Sequence, residues 1–400
     1  MKRNTVLILI AFTLNFVRFG MIFPLIPLLA HHLGSSSALI GLIVGAFSLL
    51  SFFLAIPIGG FTDRFGVKRM LYWGVLLNIA SAFLLLYPSH VMLLMVSQII
   101  GGLGFQLQIV ASQSFIASLE SPYRRERGFG YLTFSAAVGQ MIGPALGGVI
   151  ASRLNFRGAF FVALLLSIAG LIVLGFREQN QIRHSGPYSL REDMKRAAAV
   201  FSDSRMLAVL AFTFVIIFAV SLRTSFLPVL LAKRGMMEAD VGLMISLFAA
   251  SMTVIRPFAG RIFQTFSRKT MTAFSTLSVA VGVGLIPVLA SWPMTALVIC
   301  LFGLGFGLTQ PLSMVMVADI ADPGHPGMSM GVRFMIITLG NLLGPVFLGF
   351  LVEGVDLNAA FYASALLVLA VGVYILKWKP GLLPGRREAA LSARQKKRRG

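Results

Sequence analysis

The chain has 400 residues, of which 57% are hydrophobic and only 12% charged, with a mean hydropathy of +0.87. A soluble domain is about a quarter charged, and the polar helix faces of a large soluble helical protein are missing here. The net charge of +20 would suit a nucleic-acid protein until the charges are placed along the chain.

Long uncharged runs, each of the roughly 20 residues that a bilayer core requires, recur throughout. Twelve spans are predicted, starting near residues 6, 38, 71, 91, 130, 158, 206, 240, 271, 294, 331 and 358. Met1 to Thr5 precede the first, and no small-residue cleavage site follows a short apolar core. That span reads as a retained helix and not a signal peptide. The single Cys300 falls inside a span, which excludes an intrachain disulfide.

Twelve spans give alternating loops, and the basic residues divide between them unevenly. One side holds 28 Lys and Arg, including Arg64, Lys68, Arg69, Arg124, Arg125, Arg127, Arg177 to Arg205 and the tail from Lys377. The other holds only Arg153, Arg157, Lys233 and Arg234. Excess Lys and Arg marks the cytoplasmic side, so both termini are expected inside. The tail RREAALSARQKKRRG reads as a topology anchor on anionic lipid, not as a nucleic-acid arm.

Span 5 raises a question, because GYLTFSAAVGQMIGPALGG at 130 to 148 contains five glycines and a proline, the poorest helix formers. GVRFMIITLGNLLGPVFLG at 331 to 349 answers it. Gly130, Gly139, Gly143, Pro144 and Gly148 fall on Gly331, Gly340, Gly344, Pro345 and Gly349 at an offset of 201 residues, and Gln140 falls on Asn341. GLGF at 102 reappears at 303 with the same offset, and Pro27, Gly34, Gly41 and Gly59 fall on Pro228, Gly235, Gly242 and Gly260. Glycines and prolines kept in register mark an internal duplication. The chain thus divides into a six-helix half at 1–177, a cytoplasmic linker at 178–205, a second half at 206–379 and a basic tail at 380–400. Six spans per half place the halves in parallel, as in transporters that rock two bundles about a central site. Small residues let helices approach closely in lipid, so the glycine face of span 5 is expected either to slide between bundles or to pack two neighbouring helices.

The loop after span 2 reads GGFTDRFGVKR at 59 to 69. Together with the twelve spans, its Gly59, Asp63, Arg64, Gly66 and Lys68 resemble the loop motif of the major facilitator superfamily. Gly130, Gly139, Gly143, Pro144, Gly147 and Gly148 match that superfamily's fifth-helix antiporter motif, and PLIP at 24 to 27 is similar to the proline pair of its twelve-span exporters. The resemblance covers residues 5 to 380 and implies an all-α membrane protein of two parallel six-helix repeats in the cell (inner) membrane. It implies a drug or metabolite exporter exchanging against protons by alternating access. Two positions depart from the pattern: Gln98 stands where the fourth-helix motif often has arginine, and Gln264 replaces the loop aspartate in the second half. The resemblance also suggests that Asp63 faces the start of the eleventh helix near Arg333, where a helix N-terminus favours negative charge. Glu120 would pair with Lys68 or Arg69 to complete a cytoplasmic latch. A topology loop alone would explain Arg64, Lys68 and Arg69 but not Asp63.

Charges inside a membrane are costly and by default functional. All 14 acidic residues fall in loops or near span ends, whereas Arg18 in span 1 and Arg223 in span 7 lie near mid-span. Asn15, Gln106, Gln113, Gln140, Gln310 and Asn341 supply amides alongside, and Thr309 and Ser313 extend the polar patch of span 10. Each amide alone is as consistent with helix packing. Two guanidinium forks can grip one carboxylate or phosphate, and the arrangement resembles the paired arginines of organophosphate exchangers in the same superfamily. The sequence therefore predicts a monomer that moves a small anionic or zwitterionic solute, with protons as a further partner. No cofactor, metal or enzymatic chemistry is expected; GLGFG at 303 lies within an apolar span and is not a phosphate loop.

Overall fold

The computed structural model describes residues 3–87, 90–119, 122–175, 198, 200–321 and 326–378. Most of the expected linker and the whole basic tail lie outside these residues. Everything described is helix or short connection; the helices fall into twelve segments at the predicted spans, and eight helical runs among the described residues are long and apolar enough to cross a membrane. Span 1 is α1 (Arg3–Ile22) with α2 (Leu25–His32), and span 2 is α3 (Ser37–Phe53) with α4 (Ala55–Phe65). Then follow α5 (Val67–Leu84), α6 (Val91–Ala117) and α7 (Pro122–Gly175). The last of these makes two crossings about a break at Asn155, whose φ is 72°. Span 7 comprises α8 (Ser204–Val220), α9 (Leu222–Ser225) and α10 (Leu227–Lys233). Span 8 is α11 (Glu238–Ile255), a 3-10 turn at Arg256–Phe258 and α12 (Ala259–Thr265). The chain closes with α13 (Arg268–Leu285), α14 (Trp292–Ile320), α15 (Pro326–Gly354) and α16 (Leu357–Trp378).

The duplication is written into the backbone as well as the sequence. Gly34 and Gly235, 201 residues apart, leave spans 1 and 7 with φ of 73° and 79°, a left-handed turn that a side chain would strain. Span 2 breaks at Leu54 between α3 and α4, and span 8 breaks at the equivalent place with its 3-10 turn. Gly66 joins α4 to α5 at φ 83°, the geometric role of one glycine in the loop motif. Local signals start the helices: Ser36 accepts from the Leu39 N–H at 3.3 Å to cap α3, and Ser267 accepts from the Thr270 N–H at 3.1 Å to cap α13.

Two compact units emerge, and they cut across the sequence halves. The first comprises 1–190 together with 221–249 and 341–357; the second comprises 191–220, 250–340 and 358–400. In the first unit, α1 is pressed onto α7. A Cβ at Gly143 would stand 2.6 Å from the Val17 carbonyl oxygen, and one at Gly147 2.6 Å from that of Met21. In the second, α13 and α14 touch where a Cβ at Gly305 would meet that of Ser278 at 2.6 Å. These are close helix-to-helix approaches at glycine of the kind that hold helices together in lipid.

Candidate functional site

Span 1 places Asn15 and Arg18 one turn apart, both buried, and α5 brings Asn78 against them. Arg18 Nη2 donates to Asn78 Oδ1 at 2.7 Å, and Asn78 Nδ2 donates to Asn15 Oδ1 at 3.1 Å. Arg18 is 3% exposed, yet its Nε has no partner among the described residues. No carboxylate pairs with the guanidinium among the described ion pairs, and a cation in low dielectric attracts anions far more strongly than it would in water.

Aromatic rings surround this cation. Phe12, Phe16, Phe19 and Phe23 recur at helical spacing along span 1. Phe19 stacks on Phe105 of α6 with centroids 4.4 Å apart and lies 5.2 Å from Phe47 of α3. A small cavity within the first unit is lined by Arg18, Phe19, Phe23, Phe47, Ser81 and Gln98, among others. Gln98, where the fourth-helix motif often has arginine, thus shares a cavity with an arginine supplied from span 1.

Arg223 is held differently. The breaks of span 7 isolate it on the four-residue α9, where its guanidinium stacks over the Phe248 ring at 4.8 Å. Its Nε also has no partner among the described residues. Arg18 and Arg223 are therefore engaged separately, one by an amide relay and one by a ring.

The second unit has an arginine centre of its own. Arg333, expected beside the loop motif, is 6% exposed and donates from Nε to Ser313 Oγ at 2.9 Å and from Nη2 to Gln310 Oε1 at 2.8 Å. It lies inside the polar patch of span 10 that the sequence had assigned without it. Of the remaining amides, Gln106 is buried in α6 and Gln140 half-buried in α7, while Gln113 and Asn341 are exposed.

The structure divides the glycine motif of span 5 between two faces. Gly139, Gly143 and Gly147 face α1 of their own repeat, whereas the Pro144 carbonyl and Gly148 face Gly242 and Glu238 of α11. The second repeat does the same: Gly340 meets Ile217 of α8, while Pro345 and Gly349 meet Gly41 and Ser37 of α3. The motif thus serves packing within a repeat on one face and contact between repeats on the other. Gly130 and Gly331 meet no atom within 4 Å.

In the loop motif, Arg64 and Arg69 are exposed, and the Lys68 ammonium lies 5.9 Å from the Tyr72 ring centre. The side chain of Asp63 and all of Glu120 lie outside the described residues, as does the latch they were expected to form, and Gly59 keeps only its helical backbone in α4. On the corresponding face of the second unit, Arg268 at the start of α13 pairs with Asp319 near the end of α14. Among the described residues no group of three His, Cys, Asp or Glu is placed to hold a metal.

Sequence reasoning missed Asn78 and the phenylalanine stripe. A lone amide in apolar span 3 and four rings at helical spacing were both readable signals. Their relation to Arg18 was not, because it depends on how three helices pack.

The comparisons agree with this architecture. Residues 8–237 and 209–399 match the Major Facilitator Superfamily. The chain is similar to Multidrug resistance protein 1 of Bacillus subtilis (strain 168), with 27% identity covering 95% of this chain and 98% of the relative. It is similar to the Quinolone resistance protein NorA of Staphylococcus aureus (strain MRSA252), with 27% identity covering 91% and 93%. Among solved structures it is similar in fold to the nucleoside transporter NupG, with a TM-score of 0.77 over 93% of this chain and 98% of the other at 14% identity.

Proposed function

The chain belongs to the major facilitator superfamily, and from that premise we propose that it exports drug-like organic solutes by alternating access, driven by protons moving the other way. It is a multi-pass membrane transporter, not an enzyme. Full-length similarity to a multidrug and a quinolone resistance protein carries the choice of solute. The site narrows it further. A guanidinium with an unpartnered Nε, beside stacked phenylalanines, favours a flat aromatic solute bearing a carboxylate or a zwitterion. Simple lipophilic cations are poor substrates on this reading.

The backbone supports the movement. Each repeat presses one glycine–proline helix on its own first helix and on the other repeat's second crossing. A seam without interlocking side chains can part and re-form at low cost.

A second reading has its own observation. The buried polar centres described are arginine–amide clusters, with no carboxylate to carry a proton at mid-span. An organic-anion exchanger without protein-borne proton coupling would be built this way.

Flux from proteoliposomes separates the two. A fluoroquinolone and a permanent cation are loaded in turn, with and without an imposed pH gradient. Export of the fluoroquinolone that rises with an inward proton gradient supports the proposal. Gradient-independent exchange of organic anions would establish the second reading, and preferred transport of the permanent cation would overturn the anionic-substrate assignment.

A further inference from the structure

At the far end of α15 a carboxylate joins the two repeats. Glu353 Oε2 accepts from the backbone N–H of Ala38 at 2.7 Å, with the Ser36 hydroxyl alongside. That N–H belongs to the first turn of α3, where amides lack helical partners and the helix dipole favours an anion. The bond crosses the seam where a Cβ at Gly349 would stand 2.7 Å from the Ser37 carbonyl oxygen, on the face opposite the basic loops.

The equivalent seam between α7 and α11 has the same close backbone contacts, with Gly242 against Pro144 and Gly148 against Glu238. Yet the counterpart of Glu353 there, 201 residues earlier, is Ser152, whose hydroxyl donates to Val149 O of its own helix at 3.0 Å. The close packing is duplicated but the carboxylate on the facing helix is not; α11 instead carries Glu238 and Asp240 in its own first turn. Closure by packing alone needs only glycines. Adding a carboxylate makes closure depend on a proton.

We propose that Glu353 is a proton-binding site that latches the α3–α15 seam: ionised it holds the start of α3, and protonated it lets go. Protonation forms one O–H bond with a proton from solvent, removes the charge that the helix start favours, and weakens the acceptor. The residues that meet it, Ser36 and Ala38, carry no titratable group. No charged side chain acts on the carboxylate among the described residues, and Asp356 is the next acidic residue along the chain. The latch rests on the transport reading only in requiring that the seam moves, so its test reads the seam and not the flux.

Leu42 in α3 and Val355 beyond α15 are exposed. Cysteines at both positions in a Cys300→Ser background carry spin labels, and their separation is measured in nanodiscs from pH 8 to pH 3. The expected result is a rise of about threefold in the ratio of long to short distances on acidification, the size of one anion at an exposed helix start. Glu353→Gln should show the long distances already at pH 8 and no further change, and Glu353→Asp should keep a pH step. A flat pH response in the otherwise unaltered protein overturns the latch without recourse to any variant. So does a Glu353→Gln protein that titrates like its parent.

Discussion

The two seams between repeats and the two arginine centres within the units evolved from one duplicated template, and they diverged to opposite extents. The seams remain near copies: Gly41 meets the Pro345 carbonyl as Gly242 meets that of Pro144. The arginine centres share nothing in register. Arg18 has Ala219 as its counterpart, and Arg333 has Leu132. Backbone contact leaves no room for a side chain, so both copies need glycine there. A polar centre needs only some arrangement of donors and acceptors, so each copy was free to build its own. In this molecule the backbone contacts of the seams are symmetric and the buried polar centres are not.

The seams give the largest expected effect. Gly41→Val and Gly242→Val each force side-chain atoms into a facing backbone and should each cost about 3 kcal/mol or more, read as loss of monodisperse protein in detergent on heating. Equal losses support equivalence of the seams; a tolerated valine at one of them breaks it.

The arginine centres should respond unequally. Arg18→Gln should lower affinity for a carboxylate-bearing solute by on the order of a hundredfold while the purified protein stays folded, with Arg18→Lys restoring part of it because the planar fork is lost. Arg333→Gln strips Gln310 and Ser313 of their donor and should show chiefly as about 1–3 kcal/mol of lost stability. Equilibrium binding and thermal melts on the same preparations separate these outcomes, and an unchanged affinity in Arg18→Gln would make that arginine structural.

The loop motif sharpens the asymmetry further. Asp63→Asn should cut flux by roughly tenfold and raise cysteine labelling on the basic-loop side, whereas Gln264→Asp in the other half should leave both near their starting values. Wild-type flux in Asp63→Asn would remove the latch assigned to that face.

The smallest effect belongs to the Arg268–Asp319 pair, half of which is well exposed, with Asp319 at 49%. Arg268→Ala should cost less than about 1 kcal/mol, and the difference should fade as salt is added.

Much of this was legible in the chain. The span positions follow from runs of uncharged apolar residues that only a bilayer accommodates, and the duplication follows from glycines and prolines whose backbone roles cannot be exchanged for other apolar residues. The 201-residue offset paired Gly34 with Gly235, and the structure supplies the reason, a left-handed turn that needs glycine in both copies. The candidate site was legible only as a set of residue types. The sequence put Arg18 and Arg223 near mid-span, but nothing local said that one would meet Asn78 and the other the face of Phe248. It placed Arg333 with the loop motif by proximity along the helix, whereas the side chain turns to α14.

The sequence by itself determined the spans, the repeat and the positions where backbones must touch, because hydrophobicity and glycine geometry act over a few residues. Tertiary structure alone decided which face of each glycine helix serves which neighbour and which amide satisfies which arginine. It also decided that Glu353 meets the start of a helix 315 residues away. These contacts depend on the rotation and depth of whole helices relative to one another. That is set by the sum of many weak packing contacts and by no single stretch of sequence.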